Sequence, residues 1–570
     1  MSIAKLQSRA DSLEHLDPMD RAKAVAREFH VSSETIETGT GHFVKQLSEG
    51  LLADGTTLLQ VPSYVTNLPN GTEKGVCLAI DLGGTNLRVC SVELHGDSTH
   101  TLTQSKAAVP AALMTAKTYR DLFGFIARHT EAFMEEHMPG TLDSWRRIVK
   151  DGQVTDELRR QRLHPLGFTF SFTFDQHAID KGRLMYWTKA FNIDDAVGRD
   201  PCAMLQEALD ELHLPLLVTA LVNDTVGTLA ARAYASPGRS ETLLGAIFGT
   251  GTNGAYVEKM TNIKKLHSQP GFADPGQAAF MVLNTEWGGF DKELSVLPTT
   301  KYDETLDRAS VNPRDQHYEK RISGLYLGEL LRRVILAEMQ SPTPCFSLSA
   351  QSHSRLHIPY SIDSSFLSVI IGDQSPTLER AREEISKVLS VRQVSVSDAA
   401  ALQVIAEAIG RRAARLSAIA IAGVVVQSGR LGSTTLMMGA SQRMVLTRPS
   451  FLVRLWSDCR MALGAFVSCV HHSFHPERVK SDSVSQEASS DLSYNSDKGK
   501  EYVSQEMDII DIGVDGSLFE FFPGFEGHIR TALREIPAIG PLGEERIQMG
   551  TAPDGSGVGA ALIAWASRKP

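Results

Sequence analysis

The sequence predicts a duplicated α/β fold in which two lobes face one another across a cleft, and three observations carry that expectation. The first is a repeated plan: an apolar strand, a Gly/Thr turn and a return strand occur at residues 76–94 and again at residues 243–257. The second is size, since 570 residues exceed one ordinary core and imply several domains or two large lobes. The third is composition: 42% hydrophobic and 22% charged residues describe a globular chain and exclude a mostly disordered, collagen-like or membrane-embedded one.

Residues 1–17 carry charges throughout and lack the apolar core of a secretory leader, so a cytoplasmic location is expected. Phe43, Leu47 and Leu51 recur at four-residue steps and predict a helix. Pro62 to Lys74, with Pro69, Asn70 and Gly71, predicts a loop and a domain boundary. Asn70-Gly71-Thr72 matches a glycosylation acceptor, but without secretion it is read as a turn. Val76 to Asp81 is an apolar strand, Gly83-Gly84 its turn and Leu87 to Leu94 the return. Leu214 to Val222 is a further apolar run, ending at Asn223-Asp224-Thr225. Leu243 to Phe248, Gly249-Thr250-Gly251-Thr252 and Gly254 to Val257 repeat the hairpin.

Two helices follow, one marked by Ile322, Tyr326, Leu330 and Val334, the other by Leu402, Ile405, Ile409, Ala413 and Leu416. The most apolar run, Leu416 to Val426, has about half the ~20 residues of a transmembrane helix and reads as buried core, so no membrane span is expected. From Ser433 the texture changes, first to a mixed segment with Met437, Met438, Trp456 and Cys459, then to a polar tract at 481–496 that reads as disordered. Asp511 to Glu520 resumes a strand-like pattern around Asp515-Gly516-Ser517. Asp554-Gly555-Ser556-Gly557 leads into an Ala-rich helix.

Charge and cysteine content narrow the partners. Lys and Arg number 57 against 67 Asp and Glu, a net charge of −10, which argues against a broad nucleic-acid binder while leaving room for a local basic cleft. The 6 cysteines, Cys77, Cys90, Cys202, Cys345, Cys459 and Cys469, lack the close spacing of a disulfide framework and point to a reducing compartment.

Phosphate oxygens are best held by several backbone N–H groups at once, which needs glycine where the chain approaches closely or turns through positive φ. Gly83-Gly84-Thr85-Asn86 and Gly249-Thr250-Gly251-Thr252 offer this, and Gly555-Ser556 before a helix is a third anion site. A glycine-tipped hairpin is also a common steric device, so the combination carries the inference. Asp81, at a strand end beside the first loop, suits a Mg²⁺ ion held through water; a turn-capping carboxylate is the other reading. Asp224 at its own strand end could take a proton from a hydroxyl attacking phosphorus, or could simply form an Asx turn. Ser171, Thr188, Lys189, Asn223, Asn253, Glu286 and Glu319 are the hydrogen-bonding side chains that a neutral polyol would require.

The segments LAIDLGGTNLRV (78–89), LGFTFSF (166–172), WTKAF (187–191), LVNDTVGTL (221–229), IFGTGTNGAYVEK (247–259), NTEWGGFD (284–291), EKRISGLYLGE (319–329), IDIGVDGSLFEFFPGFE (510–526) and DGSGVGAALIA (554–564) resemble, in order and spacing, the hexokinase family and within it the fungal glucokinases. The resemblance implies an actin-like ATPase (ribonuclease H-like) duplicated fold whose small and large lobes close over a sugar. It implies ATP-dependent phosphorylation of D-glucose or another hexose at the 6-hydroxyl, the first step of glycolysis, with ATP and Mg²⁺ as cofactors. Asp224 would be the general base, and Lys189 would lie near the transferring phosphoryl group. Ser171, Thr188, Lys189, Asn223, Asp224, Asn253, Glu286 and Glu319 would hold the sugar. Asp81, Gly83, Gly84, Thr85, Asn86, Gly249, Thr250, Gly251, Gly516, Ser517, Gly555 and Ser556 would line the nucleotide site, with Asp81 acting on Mg²⁺ through water.

The implied organisation is an N-terminal helical arm (1–75) belonging to the large lobe, a small lobe (76–222), the first part of the large lobe (223–432), an atypical disordered insert (433–498), the nucleotide-binding part of the large lobe (499–555) and a C-terminal helix returning to the small lobe (556–570). The chain departs from the family pattern at Thr173, where proline is usual, and at Ala190, where glycine is usual. Residues 144–164 match poorly, and the insert matches nothing in the pattern. Its Cys469, His471, His472 and His475 have metal-ligand chemistry without a second ligand pair at a zinc spacing. These departures favour a rival reading, a hexokinase-like sugar sensor that binds but scarcely turns over; retention of Asp224, Lys189 and Asp81 favours the enzyme. An actin- or chaperone-type ATPase of the same fold would have no use for the sugar motifs.

Overall fold

The computed structural model describes residues 17–84, 86–187, 191–236, 241–268, 278–432, 508–552 and 554–567. The chain divides into two compact units, residues 1–431 with 509–570, and residues 432–508. The first unit holds both large sheets. The expectations for the N-terminal leader region, Thr85, Thr188, Lys189, Ala190 and the insert with Cys459, Cys469 and its histidines lie outside the described residues.

Two sheets are built to one plan. The first holds β2 (Lys74–Leu82), β3 (Asn86–His95), β4 (His100–Ala108), β5 (His164–Phe170) and β8 (Leu216–Val222) in the order β4-β3-β2-β5-β8. The second holds β1 (Val61–Pro62), β9 (Leu244–Phe248), β10 (Thr252–Lys259), β11 (Phe280–Asn284), β12 (Ile510–Asp515) and β13 (Ile547–Thr551) in the order β1-β11-β10-β9-β12-β13. Each begins as an antiparallel meander, β2-β3-β4 or β9-β10-β11, and continues with two parallel strands, β5-β8 or β12-β13. The strand pairing therefore carries the duplication that the two glycine-tipped hairpins predict. A separate hairpin, β6 (Thr173–Ala178) with β7 (Lys181–Tyr186), follows β5.

The final strand of each sheet runs into a helix, α2 (Asp224–Ala235) after β8 and α7 (Gly555–Ala566) after β13. These two helices pack face to face through glycine. A Cβ on Gly559 would collide with the carbonyl of Gly227, and one on Gly227 would fall 2.8 Å from the Ser556 carbonyl oxygen. Only a missing side chain permits that approach. Around the pair, Cys77, Ala79, Cys90, Val226, Leu229, Tyr234, Ala255, Val282, Val558 and Leu562 form one buried layer joining both sheets. A larger core surrounds the buried helix α5 (Val396–Ser428), which begins with a Ser395/Asp398 capping box, packs against α1 (Ser33–Leu52) and ends at Gly429 with φ 69°.

The apolar run at Leu416 is thus the second half of α5, a single helix with the stripe that starts at Leu402. No helix among the described residues is long and apolar enough to cross a membrane. Two expectations need correction. The stripe from Ile322 to Val334 is two helices, α3 (Glu319–Ile322) and α4 (Gly324–Met339), broken at an extended Ser323. The break frees the first N–H groups of α4 for a loop: Gly324 N donates to Gly249 O at 2.8 Å and Leu325 N to Thr250 O at 3.2 Å. The strand-like stretch to Glu520 stops at Asp515, because Gly516 takes φ 113° and Ser517 opens α6 (Ser517–Phe521). Asn70-Gly71-Thr72 is a turn, with Thr72 N donating to Asn70 Oδ1 at 3.0 Å and Gly71 at φ 89°.

Candidate active site

The first glycine loop is the tip between β2 and β3, closed by Gly83 N donating to Asn86 O at 3.0 Å. Asp81, one residue from the end of β2, accepts a hydrogen bond from Ser556 Oγ at 3.0 Å, and Thr169 Oγ1 donates to the Ser556 carbonyl at 3.1 Å. Asp81 and the first turn of α7, 475 positions apart, are therefore in contact. Ser171 N donates to Leu82 O at 3.3 Å, which ties the segment after β5 to the same tip.

The second glycine loop, between β9 and β10, rests on the start of α4. A Cβ on Gly249 would touch Gly516 Cα at 3.6 Å, and one on Gly516 would meet the Phe248 carbonyl at 2.5 Å. Gly516 can be nothing larger, both for this contact and for its φ of 113°. Glu319, first residue of α3, accepts from Thr252 N at 3.1 Å. That bond brings one expected sugar ligand against the second glycine loop. Trp287 Nε1 donates to Thr252 Oγ1 at 3.0 Å, which fixes the loop that carries Glu286.

Asn253 and Glu286 meet directly: Asn253 Nδ2 donates to Glu286 Oε1 at 3.2 Å. Between them stands Asn284, a residue that sequence reasoning does not single out although it begins the NTEWGGFD segment. Asn284 accepts from Asn253 Nδ2 at 2.8 Å and donates to Glu286 Oε1 at 2.7 Å. Glu286 has φ 52°, a left-handed conformation costly for a residue with a Cβ.

Asp224 is the first residue of α2, and Asn223 caps that helix by accepting from Thr225 N at 3.0 Å. The Asx turn and the strand-end placement are thus both present. Asp515, across β12 from Ile247 of β9, is pushed up to about 6 by burial, reinforced by the charges of Glu520, Asp554 and Asp224. Asp554, at φ 51° before α7, is paired with Arg88 of β3 at 2.8 Å. Neither partner is signalled by the sequence, since nothing local points to a bond across 466 positions.

Two glycine hairpin tips and the start of α7 thus lie against hydrogen-bonded carboxylates and amides: Ser556 on Asp81, Thr252 on Glu319, and Asn284 on Asn253 and Glu286. The family models described as hexokinase match residues 21–234 and residues 243–467 with 485–566. A glucokinase of Aspergillus niger is 41% identical over 560 residues, 97% of each chain. The chain belongs to the hexokinase family. This hexokinase is also 34% identical to Glucokinase-1 of Saccharomyces cerevisiae over 95% of each chain. Among solved structures, the hexokinase of Schistosoma mansoni complexed with glucose superposes with a TM-score of 0.68 at 26% identity, covering 96% of this chain and 99% of the other. The hexokinase fold accounts for the two sheets of one plan, and the chain is a phosphotransferase of that family.

Proposed function

We propose that this hexokinase transfers the γ-phosphoryl group of ATP to the 6-hydroxyl of D-glucose, with Asp224 as general base. The observation that carries the reading is the placement of Asp224 on the first turn of α2, whose Gly227 packs onto the Gly555–Ser556 loop. One rigid helix thereby sets the base relative to the nucleotide loop. Asn223, Asn253, Glu286 and Glu319, with Ser171, Thr188 and Lys189, hold the sugar hydroxyls. Gly83, Gly84, Thr85 and Asn86 take phosphate from the small-lobe side, and Gly249, Thr250, Gly251, Gly516, Ser517, Gly555 and Ser556 complete the nucleotide site.

The carboxylate of Asp224 accepts the 6-hydroxyl proton as that oxygen bonds to phosphorus, and ADP leaves. Backbone N–H groups of the glycine loops and Lys189 offset the charge on the phosphoryl oxygens. The residues present fit Mg²⁺ as a nucleotide-borne ion: among the described residues no group of three or more His, Cys, Asp or Glu could cage a metal, while Asp81 offers one carboxylate to metal-bound water. Bound there, Mg²⁺ would neutralise phosphate charge. The reading includes a cytoplasmic location, supported by Cys90, Cys202 and Cys345, all buried free thiols.

The test is glucose 6-phosphate formation by the full chain with MgATP, beside Asp224→Ala and a glucose-binding titration. Product from the parent and a loss on the order of 10²-fold or more in the variant, with glucose still bound, support the assignment. A parent that binds glucose and forms no product overturns it.

A further inference from the structure

Asn284 closes β11, opposite Val61 of β1 and Ala255 of β10, and is 7% exposed. Its amide is engaged at both ends. Nδ2 donates to Glu286 Oε1 at 2.7 Å; Oδ1 accepts from Asn253 Nδ2 at 2.8 Å and from Glu286 N at 3.3 Å. A carboxylate can only accept, so Glu286 dictates which end of the Asn284 amide faces it, and the opposite end must then receive the Asn253 amide. Asn253 is held in the same sense from its other end, where Oδ1 accepts from Gly254 N at 2.8 Å and from Thr285 Oγ1 at 3.5 Å. The bond to Glu286 N also steadies the backbone of a residue at φ 52°.

We propose that Asn284 is a positioning residue for sugar recognition, the amide that orients the Glu286 carboxylate and its backbone before the hexose arrives. The inference rests on the reading of Asn253 and Glu286 as sugar ligands. Without Asn284, Asn253 keeps its sense through Gly254 N and its 3.2 Å bond to Glu286, while the Glu286 carboxylate loses a charge-assisted donor and its N–H loses an acceptor. Among the described residues, the titratable group bonded to Asn284 is Glu286, and on the neighbouring loop the Glu319 carboxylate accepts from Thr252 N. The strands packed on either side bring Val61 and Ala255.

The experiment measures kcat and KM for glucose and for MgATP in the full-length parent, Asn284→Ala, Asn284→Asp and Glu286→Gln, between about pH 5 and pH 8. Asn284→Ala is expected to raise the glucose KM about tenfold or more, with kcat and the MgATP KM nearly unchanged, the pattern of lost ground-state binding. Asn284→Asp places two carboxyl groups side by side, so one proton is held between them at acid pH and can replace the amide donor. Its glucose KM is therefore expected near the parent's at the acid end and about tenfold or more above it at the alkaline end. This near-isosteric variant keeps the test alive should the alanine variant not fold. A pH-independent KM ratio for Asn284→Asp overturns the proposal, as does Asn284→Ala lowering kcat and raising both KM values together. If Glu286→Gln raises the glucose KM while neither Asn284 variant does, the positioning role alone fails. If Glu286→Gln leaves the glucose KM unchanged, the sugar-ligand reading fails and takes the positioning role with it.

Discussion

Asp515 gives the sharpest physical test of the site. Its carboxyl stands at the end of β12, and burial together with Glu520, Asp554 and Asp224 raises it from 3.8 to about 6. A folded-state value above the unfolded one means that the fold binds the proton more tightly than the open chain does. Below the unfolded value both states are protonated and the group has no differential effect. As pH rises through about 6, the folded chain must carry a charge that its surroundings disfavour, and stability falls. A rise of this size corresponds to on the order of 3 kcal/mol against the ionised folded state. Asn cannot ionise and can still accept from the Gly516 N–H that the carboxylate holds. Asp515→Asn is therefore expected to melt at a higher temperature than the parent at about pH 8, with the difference shrinking to nothing near about pH 4. Thermal melts of both proteins across that range, without nucleotide, measure it. A difference that stays constant with pH, or that grows toward acid, refutes the electrostatic account.

Three further outcomes are expected. Arg412→Ala leaves Asp303 buried without the guanidinium that holds it at 2.7 and 2.8 Å, and should destabilise the fold by about 3–5 kcal/mol in chemical denaturation; an unchanged midpoint would show that the pair is dispensable. Gly559→Ala drives a methyl group into the Gly227 carbonyl, and should cost about 1–3 kcal/mol of stability while lowering kcat through the displaced Asp224; full activity would mean that α2 and α7 can separate without consequence. Asp81→Ala should raise the Mg²⁺ concentration needed for half-maximal rate and leave the glucose KM unchanged, read by metal titration at fixed ATP; an unaltered Mg²⁺ requirement removes Asp81 from the metal's surroundings.

How much of this is legible in the sequence depends on the range over which each signal acts. The hairpins at Gly83 and Gly249 are readable because strand alternation and turn glycines are local, and the helix at Leu402 because its stripe repeats every three or four residues. Asp224 stands out because a carboxylate directly after an apolar strand is conspicuous. The break at Ser323 does not, since it answers to Gly249 and Thr250 rather than to its neighbours. Asn284 stays hidden for a related reason. A single asparagine closing an apolar strand looks like any strand end, and its role exists only through Asn253, 31 positions away, and through Glu286. The raised Asp515 likewise depends first on burial, then on Glu520, with smaller contributions from Asp554 and Asp224, and burial and the approach of those distant aspartates are products of the fold.

Duplication then explains why the carboxylates collect where they do. In each sheet the second parallel strand leads into a helix, and each helix starts at or beside an aspartate: Asp224 after β8, Asp554 after β13. Because α2 and α7 meet through Gly227 and Gly559, their N-terminal ends converge, and both aspartates contribute to the field at Asp515. Two equivalent acids at one point would repel each other and any phosphate. The fold resolves the conflict asymmetrically. Asp554 takes Arg88 at 2.8 Å and Gln104 Nε2 at 3.4 Å, which neutralises that copy and ties it to the strands of the first sheet. Asp224 sits inside its helix rather than ahead of it, beside the capping residue Asn223, and its Oδ1 accepts from Thr225 N at 2.9 Å. A backbone N–H at a helix start orients a carboxylate. Repetition of one strand-to-helix element thus supplies both the proposed base and a structural anchor, the anchor being the copy that Arg88 holds.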